Sequence, residues 1–294
     1  MKPKLIKTKY GFYQYRPLPS EKTLEKYYAQ KYYQNPQATS YTATYHKEEI
    51  KYFKLKTSLI FRQVIKLHKL DRLKTMLDVG CGEGWLLNRF HEAGVCVQGV
   101  DLSCFAIQKF NPHLIKYFEQ GNISKILDTY SAYGKKFNLI TMANVIEHVI
   151  NPVELLKKAE GLLAPHGLFV LVAPNDFSLL HQYLLKHKFI TRRFWEAYPD
   201  HLNYFNKESM EHFLSGQGWK IHAVVADNPI DLNLLNDNSN YIKDRFKGKN
   251  THIYRVRTDN FLAGISEEKL LEVYTTLGSL GVGRDLSYYA TRKR

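Results

Sequence analysis

Cysteine is scarce in this chain of 294 residues, with only Cys81, Cys96 and Cys104 present. None lies in a C-x-x-C pair or beside a histidine cluster at zinc-ligand spacing. That excludes a disulfide framework and a structural zinc site of the usual kind, and predicts free thiols in a reducing compartment. Long hydrophobic runs are missing too, since no stretch reaches about eighteen apolar residues without a charge. The lysine-bearing start MKPKLIKTKYGFYQYRP has no apolar segment behind it. The expectation is a soluble, unexported, cytoplasmic protein with no transmembrane segment. Internal repeats and low-complexity tracts are absent as well.

Acidic residues are the remaining deficit, 28 Asp and Glu against 42 Lys and Arg, for a formal charge of +14. The excess is localised: residues 1–74 carry +12, 75–240 carry −3 and 241–294 carry +5. Basic flanks around a nearly neutral centre suit a phosphate-bearing substrate, an acidic glycan, RNA or an anionic membrane surface, and equally a solvated lysine surface. With 44% apolar residues the chain can bury a sizeable core, and we read it as one domain with a substantial appendage.

Ser20 after Pro19 reads as the N-cap of a helix running to Tyr33 and ended by Asn35 and Pro36. A second helix is expected from Lys47 to Leu70, where Ile50, Phe53, Ile60, Phe61, Val64 and Leu67 approximate a 3.6-residue stripe. Together they form a basic, tyrosine-rich helical arm over residues 1–74. Beyond it, apolar strands alternate with helical patterns, the signature of βαβ units and a parallel sheet. Strands are expected at Thr75–Val79, Cys96–Asp101, Phe137–Ala143 and Gly167–Ala173, with a short one at Tyr117–Glu119. Helices are expected at Trp85–Ala93, Ser103–Phe110 and Pro152–Leu163. Two later strands, Trp219–Ala226 and Thr251–Thr258, flank an Asn- and Asp-rich loop or substrate-side insertion over 227–250. The expected division is an arm or lid over 1–74, a core over 75–226, and an insertion, last core strand and basic extension over 227–294.

The sequence Thr75-Met76-Leu77-Asp78-Val79-Gly80-Cys81-Gly82-Glu83-Gly84 sets three glycines at alternate positions between a strand and a helix. Glycines there let the backbone turn tightly and approach a ligand, while the next helix offers unpaired amides. The spacing is one residue shorter than the dinucleotide fingerprint G-x-G-x-x-G. The following strand ends in Val100-Asp101-Leu102-Ser103, an acid where a ribose diol would lie. A helix N-cap is the plainer role for Asp101.

Together with Asn144-Val145-Ile146-Glu147-His148 after the strand Phe137–Ala143, this pattern resembles the class I S-adenosylmethionine-dependent methyltransferases, above all the small-molecule group containing ubiquinone-biosynthesis O-methyltransferases. The resemblance covers about Thr75 to Asn175. It implies a Rossmann-like α/β methyltransferase sheet with helices on both faces, joined here to the helical N-terminal arm and a C-terminal substrate-side extension. It implies S-adenosyl-L-methionine as cofactor, with Asp78, Gly80, Gly82 and Gly84 shaping the methionine and ribose side. It also implies Asp101 on the ribose, Gly121-Asn122-Ile123 beside the adenine and Asn144 at the pocket. Asn122 stands where the family often has Asp.

Methyl transfer to an alcohol is helped by a base of near-neutral pKa. His148 at the sheet edge and His201 in Tyr198-Pro199-Asp200-His201-Leu202-Asn203-Tyr204-Phe205 are the candidates, with Glu147 beside them. Some relatives bind a divalent metal through E-x-x-E-H. Here Asn144 replaces the first carboxylate, and although Glu147, His148 and His201 remain as three potential ligands, metal is expected to be dispensable.

The leading expectation is O-methylation of a sugar, nucleotide-linked sugar or related polar metabolite in surface-glycan biosynthesis, with a small or nucleotide-linked, phosphate-compatible acceptor as partner. The segment 199–205 and Leu280-Gly281-Val282-Gly283-Arg284-Asp285 resemble methyltransferases of polysaccharide clusters. Pyrophosphate could meet Arg192, Arg193 or the arm lysines. RNA 2′-O-methylation is the alternative enzyme, since that family joins E-V-I-E-H to a later histidine motif. A non-catalytic methyltransferase-fold scaffold is the alternative outside enzymes, opposed by intact Gly80, Gly82, Gly84 and Asp101.

Overall fold

The computed structural model describes residues 3–20, 23–24 and 44–293. The chain opens as a hairpin, β1 (Lys4–Lys7) and β2 (Tyr13–Arg16), turning at Gly11 with φ +89°. Strand β2 also pairs with the short β8 (Asn203–Tyr204). The helical-arm expectation is thus corrected over residues 4–16. Alternation in Phe12-Tyr13-Gln14-Tyr15 serves a small sheet, burying Phe12 and Gln14 while Tyr13 packs on Phe177. Ser20 does act as a cap, its hydroxyl accepting the Thr23 N–H at 3.2 Å. The continuation of that helix to Tyr33, and its end at Asn35 and Pro36, lie outside the described residues.

Helix α1 (Lys47–His68) forms where expected, but its buried stripe is rotated. Tyr52, Leu55, Leu59, Phe61 and Val64 face the core, whereas Leu67 is 38% exposed. The parallel part of the main sheet follows as β3 (Thr75–Val79), α2 (Trp85–Glu92), β4 (Cys96–Asp101), α3 (Phe105–Phe110), β5 (Phe118–Gln120), α4 (Ile123–Ala132), β6 (Phe137–Ala143), α5 (Pro152–Leu162) and β7 (Leu163–Pro174). Next come α6 (Leu179–Lys186), α7 (Lys207–Gly216) and β9 (Trp219–Ala226). The chain ends with α8 (Lys247–Leu280) and β10 (Asp285–Arg292). The seven strands lie in the order β5-β4-β3-β6-β7-β10-β9, with β10 antiparallel to both neighbours.

Both faces of the sheet are buried, as a parallel sheet requires. Leu77, Val79, Phe169 and Leu171 pack toward α4, α5 and α7, while Met76, Leu168, Val170 and Val172 pack toward α1, α2 and α8. Among the described residues no helix is long and apolar enough to cross a membrane.

Two later expectations are corrected. Thr251–Thr258 is not a strand but the second turn onward of α8, which is broken only at Ser266 (φ −166°, ψ 116°). Its β-branched and aromatic residues favour a strand, yet Thr251, Val256 and Asp259 are the ones buried, a helical spacing. The last core strand is β10, inserted between β7 and β9. Helix α1 covers one face of the sheet and β10 lies inside it. The 227–250 segment forms a 3-10 turn at Ile230–Leu235 before leading into α8.

Candidate functional site

The three glycines after β3 all have positive φ, +72° at Gly80, +52° at Gly82 and +78° at Gly84, which only glycine adopts without strain. At Gly80 the approach is also too close for any side chain, because a Cβ would stand 2.3 Å from Val145 Cγ2. At Gly82 nothing lies within 4 Å of that position, so the loop opens outward there. Asp101 ties the loop to the next strand: its Oδ2 accepts the Gly82 N–H at 2.9 Å and its Oδ1 accepts the Ser103 N–H at 3.2 Å. It is not the helix cap, as α3 starts later with Cys104 at the N-cap.

Gly80, Gly82 and Asp101 line a cavity of about 670 Å³ at the carboxyl ends of β3, β4 and β6, the place where open α/β sheets bind ligands. Asn122, Ile123, Asn144 and His148 line it too, with Leu24, Leu102 and Val149 adding apolar wall. Asn122 caps α4 by accepting the Lys125 N–H at 3.2 Å. Asn144 takes φ +53°, a left-handed conformation uncommon outside glycine, and its N–H bonds Val172 O. Two residues of the sequence motif stand behind this wall. Gly84 is the N-cap of α2, against Ile107. Asp78 is buried beneath the loop, with its Oδ1 accepting from the Thr141 hydroxyl at 2.6 Å. Burial lifts the Asp78 carboxyl to about 7, though the Thr141 bond opposes this.

Glu147, His148 and His201 converge at the cavity's edge, with one potential ligand atom from each lying within 4.8 Å of the others. Of the three, His148 reaches the cavity wall. Its Nδ1 lies 2.8 Å from Asp200 O and, because a carbonyl only accepts, Nδ1 carries the hydrogen. Its Nε2 faces Glu147 Oε1 at 3.7 Å. Burial pulls the imidazolium down, but the Asp200 hydrogen bond and the Glu147 charge outweigh it and hold His148 at about 9. Burial pushes Glu147 up to about 7 against the pull of His148. The His201 ring sits edge-on to His148 with centroids 4.8 Å apart, and burial followed by the His148 charge takes it down to about 4. At neutral pH the pair is one cationic and one neutral imidazole.

A buried polar network continues from this cluster. Arg284 Nη1 bonds Asp176 Oδ1 at 2.8 Å, and His181 Nε2 pairs with Asp231 Oδ2 at 2.8 Å while stacking on Trp195. Asp227 Oδ1 accepts the backbone N–H groups of Arg284 and Asp285, fixing the entry into β10. The charge of Asp285 acts on Glu147, His201 and Arg284, and also on Lys56 and Arg255. Glu147 Oε2, Asp176 Oδ2, His201 Nδ1, Tyr52 Oη and Arg255 Nε are buried without a hydrogen-bond partner among the described residues. Sequence reasoning missed Asp176, Tyr52, Arg255 and Asp200. Asp176 was within reach, because it follows β7 directly at the sheet's carboxyl edge. Arg255 was hidden in the segment that reads as a strand.

The sequence model of a methyltransferase domain family matches residues 51–224. The ubiquinone biosynthesis O-methyltransferase of Bartonella tribocorum is 28% identical over 207 residues, covering 68% of this chain and 81% of that relative. The protein of the same name from Haemophilus ducreyi is 29% identical over 108 residues, covering 35% of this chain and 46% of the relative. The chain thus spans less than half the length of this second relative, and 42% of the one from Histophilus somni. Among solved structures, the plantazolicin methyltransferase BamL superposes with a TM-score of 0.53 at 15% identity, covering 92% of this chain and 95% of that one. A S-adenosylmethionine-dependent methyltransferase from Clostridium acetobutylicum gives 0.50 at 12% identity, covering 82% and 92%. At these identities the likeness is one of fold.

Proposed function

Because this chain belongs to the methyltransferase-domain family, among the class I S-adenosylmethionine-dependent methyltransferases, we propose that it O-methylates a polar acceptor, a sugar or nucleotide-linked sugar of surface-glycan biosynthesis in the cytoplasm. The observation that carries the acceptor's class is the pair of buried polar atoms without partners among the described residues beside the cavity-lining His148, Glu147 Oε2 and His201 Nδ1. Each costs about 1–3 kcal/mol when desolvated and unpaired, so an acceptor rich in hydroxyls gains what an apolar ring forfeits. Transfer to oxygen is supported by the O-methyltransferases among the matched relatives.

S-adenosylmethionine, when bound, supplies a methyl group already activated as a sulfonium and leaves as the thioether. The residues present fit it. The open backbone at Gly82 and the Asp101 carboxylate suit the ribose side, Asn122 and Ile123 the adenine, and Gly80 and Asn144 the methionine side. Gly80 and Val145 hold the loop in place, so that the acceptor oxygen can be positioned in line with the methyl carbon. His148 is the base in this reading. With Nδ1–H anchored on Asp200 O, the neutral fraction of His148, small at pH 7 and growing toward pH 9, takes the hydroxyl proton on Nε2 as the new C–O bond forms. His201, held neutral, offers Nδ1 to an acceptor hydroxyl.

The test is incubation with isotope-labelled S-adenosylmethionine and three acceptors in parallel, namely a nucleotide-sugar mixture, a prenylated catechol and a small RNA, followed by mass spectrometry. The label is expected on a sugar hydroxyl. Label on the catechol or the RNA, with none on the sugars, would overturn the acceptor class while leaving the methyltransferase in place.

A further inference from the structure

Basic residues of the C-terminal flank and of the nearly neutral centre, far apart in sequence, meet at the end of the sheet opposite the cofactor cavity. The last turn of α1, the residue before β6, the first turn of β7, the start of β9 and the end of β10 surround a second cavity of about 790 Å³. Lys136, Lys220, Arg292 and Lys293 line it, and no Asp or Glu does. Little of this charge is neutralised. Arg292 pairs with Glu160 at 2.9 Å, whereas Lys136 and Lys293 bond only the carbonyls of Gly161 and Ser215, and Lys220 has no ion pair among the described residues.

His68, His166 and His222 complete the wall. Two of them register the field around them. His68 is held below its ordinary value by burial and then by Arg72 and His166, and His222 by burial and then by Lys220. Concentrating like charge at strand ends is unfavourable on its own, and an anion removes the penalty.

We propose that this second cavity is a binding site for a small anion carrying two or three linked phosphoryl groups. The cations come from three separate chain segments, Lys136, Lys220 and Arg292–Lys293, that the sheet brings to one cavity. The volume lies within the range of about 300–1,000 Å³ typical of small-molecule sites. A concave site of that size suits a compact oligophosphate better than a duplex or a bilayer surface. It is separated from the cofactor cavity by the length of β6, on the order of 20 Å at about 3.3 Å per residue, and so is independent of the acceptor reading.

Calorimetric titration of the full chain with sodium tripolyphosphate tests the site. One saturable site is expected, weakened about tenfold or more in Lys220→Glu and in Lys136→Glu, retained in Lys220→Arg, with S-adenosylmethionine binding unchanged throughout. Both lysines are exposed, and circular dichroism of each variant checks the fold. Absence of saturable binding, or binding indifferent to both charge reversals, would overturn the proposal. So would a single-stranded RNA or phosphatidylserine vesicles that bind in a Lys220-dependent way while tripolyphosphate fails to compete.

Discussion

Asp101 holds the glycine loop and faces the cavity with the same carboxylate. Replacing it with Ala should weaken S-adenosylmethionine binding by about 1.5–3 kcal/mol, measured by calorimetry, through loss of charge-assisted bonds. Unchanged affinity in a folded variant would remove Asp101 from the site. For His148 the expected pH profile has a limb near 9 rather than at the ordinary histidine position, so kcat/KM should climb through neutrality toward pH 9. His148→Ala should lower turnover by about 10²-fold and abolish the limb. Asp200→Asn should move the limb down, because the carboxylate 3.5 Å from Nδ1, which raises His148, loses its charge while the main-chain bond stays. A profile unchanged in both variants would place proton removal elsewhere. Stability carries the same sign. His148 binds its proton more tightly folded than unfolded, so its contribution is complete below about pH 6.5 and is lost as pH rises through about 9. The melting temperature should fall across that window, with a shallower slope in His148→Gln. The glycine loop, Asp101 and the 147–148 pair were legible in the sequence because local spacing encodes them. The protonation of His148 was not, since it depends on Asp200, which reaches it only through the packing of the 198–205 segment.

Helix α8 and strand β10 are where tertiary context overrode local pattern. Thr251–Thr258 is rich in the β-branched and aromatic residues that favour strands, but the segment joins a 34-residue helix packed on α1 and β9. The strand β10 had a readable signal, a Gly281–Gly283 turn followed by alternating residues. Leu286, Tyr288 and Ala290 pack on one face and Tyr289 on the other. It was obscured because the turn itself drew the reading as a motif. The contact between α8 and β9 rests on Gly278, where a Cβ would lie 2.3 Å from Val224 O. Gly278→Ala should therefore destabilise the protein by about 1–3 kcal/mol. Gly161→Ala, in α5 with nothing within 4 Å, should be neutral or stabilising by up to about 1 kcal/mol. Denaturant melts of both variants check this, and equal stability of the two would refute the packing account.

Across the whole molecule, the sheet separates a cofactor cavity at one end of its strands from a basic cavity at the other. Composition showed that positive charge gathers in the flanks, but only the fold shows that Arg292 and Lys293 join Lys136 and Lys220 around one cavity. Metal should be dispensable, because Asn144 stands where the metal-binding pattern has its first carboxylate, leaving Glu147, His148 and His201 as the remaining set. Turnover should survive a chelator, and loss with recovery on adding a divalent ion would contradict this reading. The central claim is that the cavity beside Gly80, Gly82 and Asp101 takes an adenosyl methyl donor. Calorimetric titration of the purified chain with S-adenosylmethionine, its demethylated product and NAD tests it most directly. Saturable binding of the first two and none of NAD is the predicted result, and NAD binding with no response to either adenosyl ligand would contradict it.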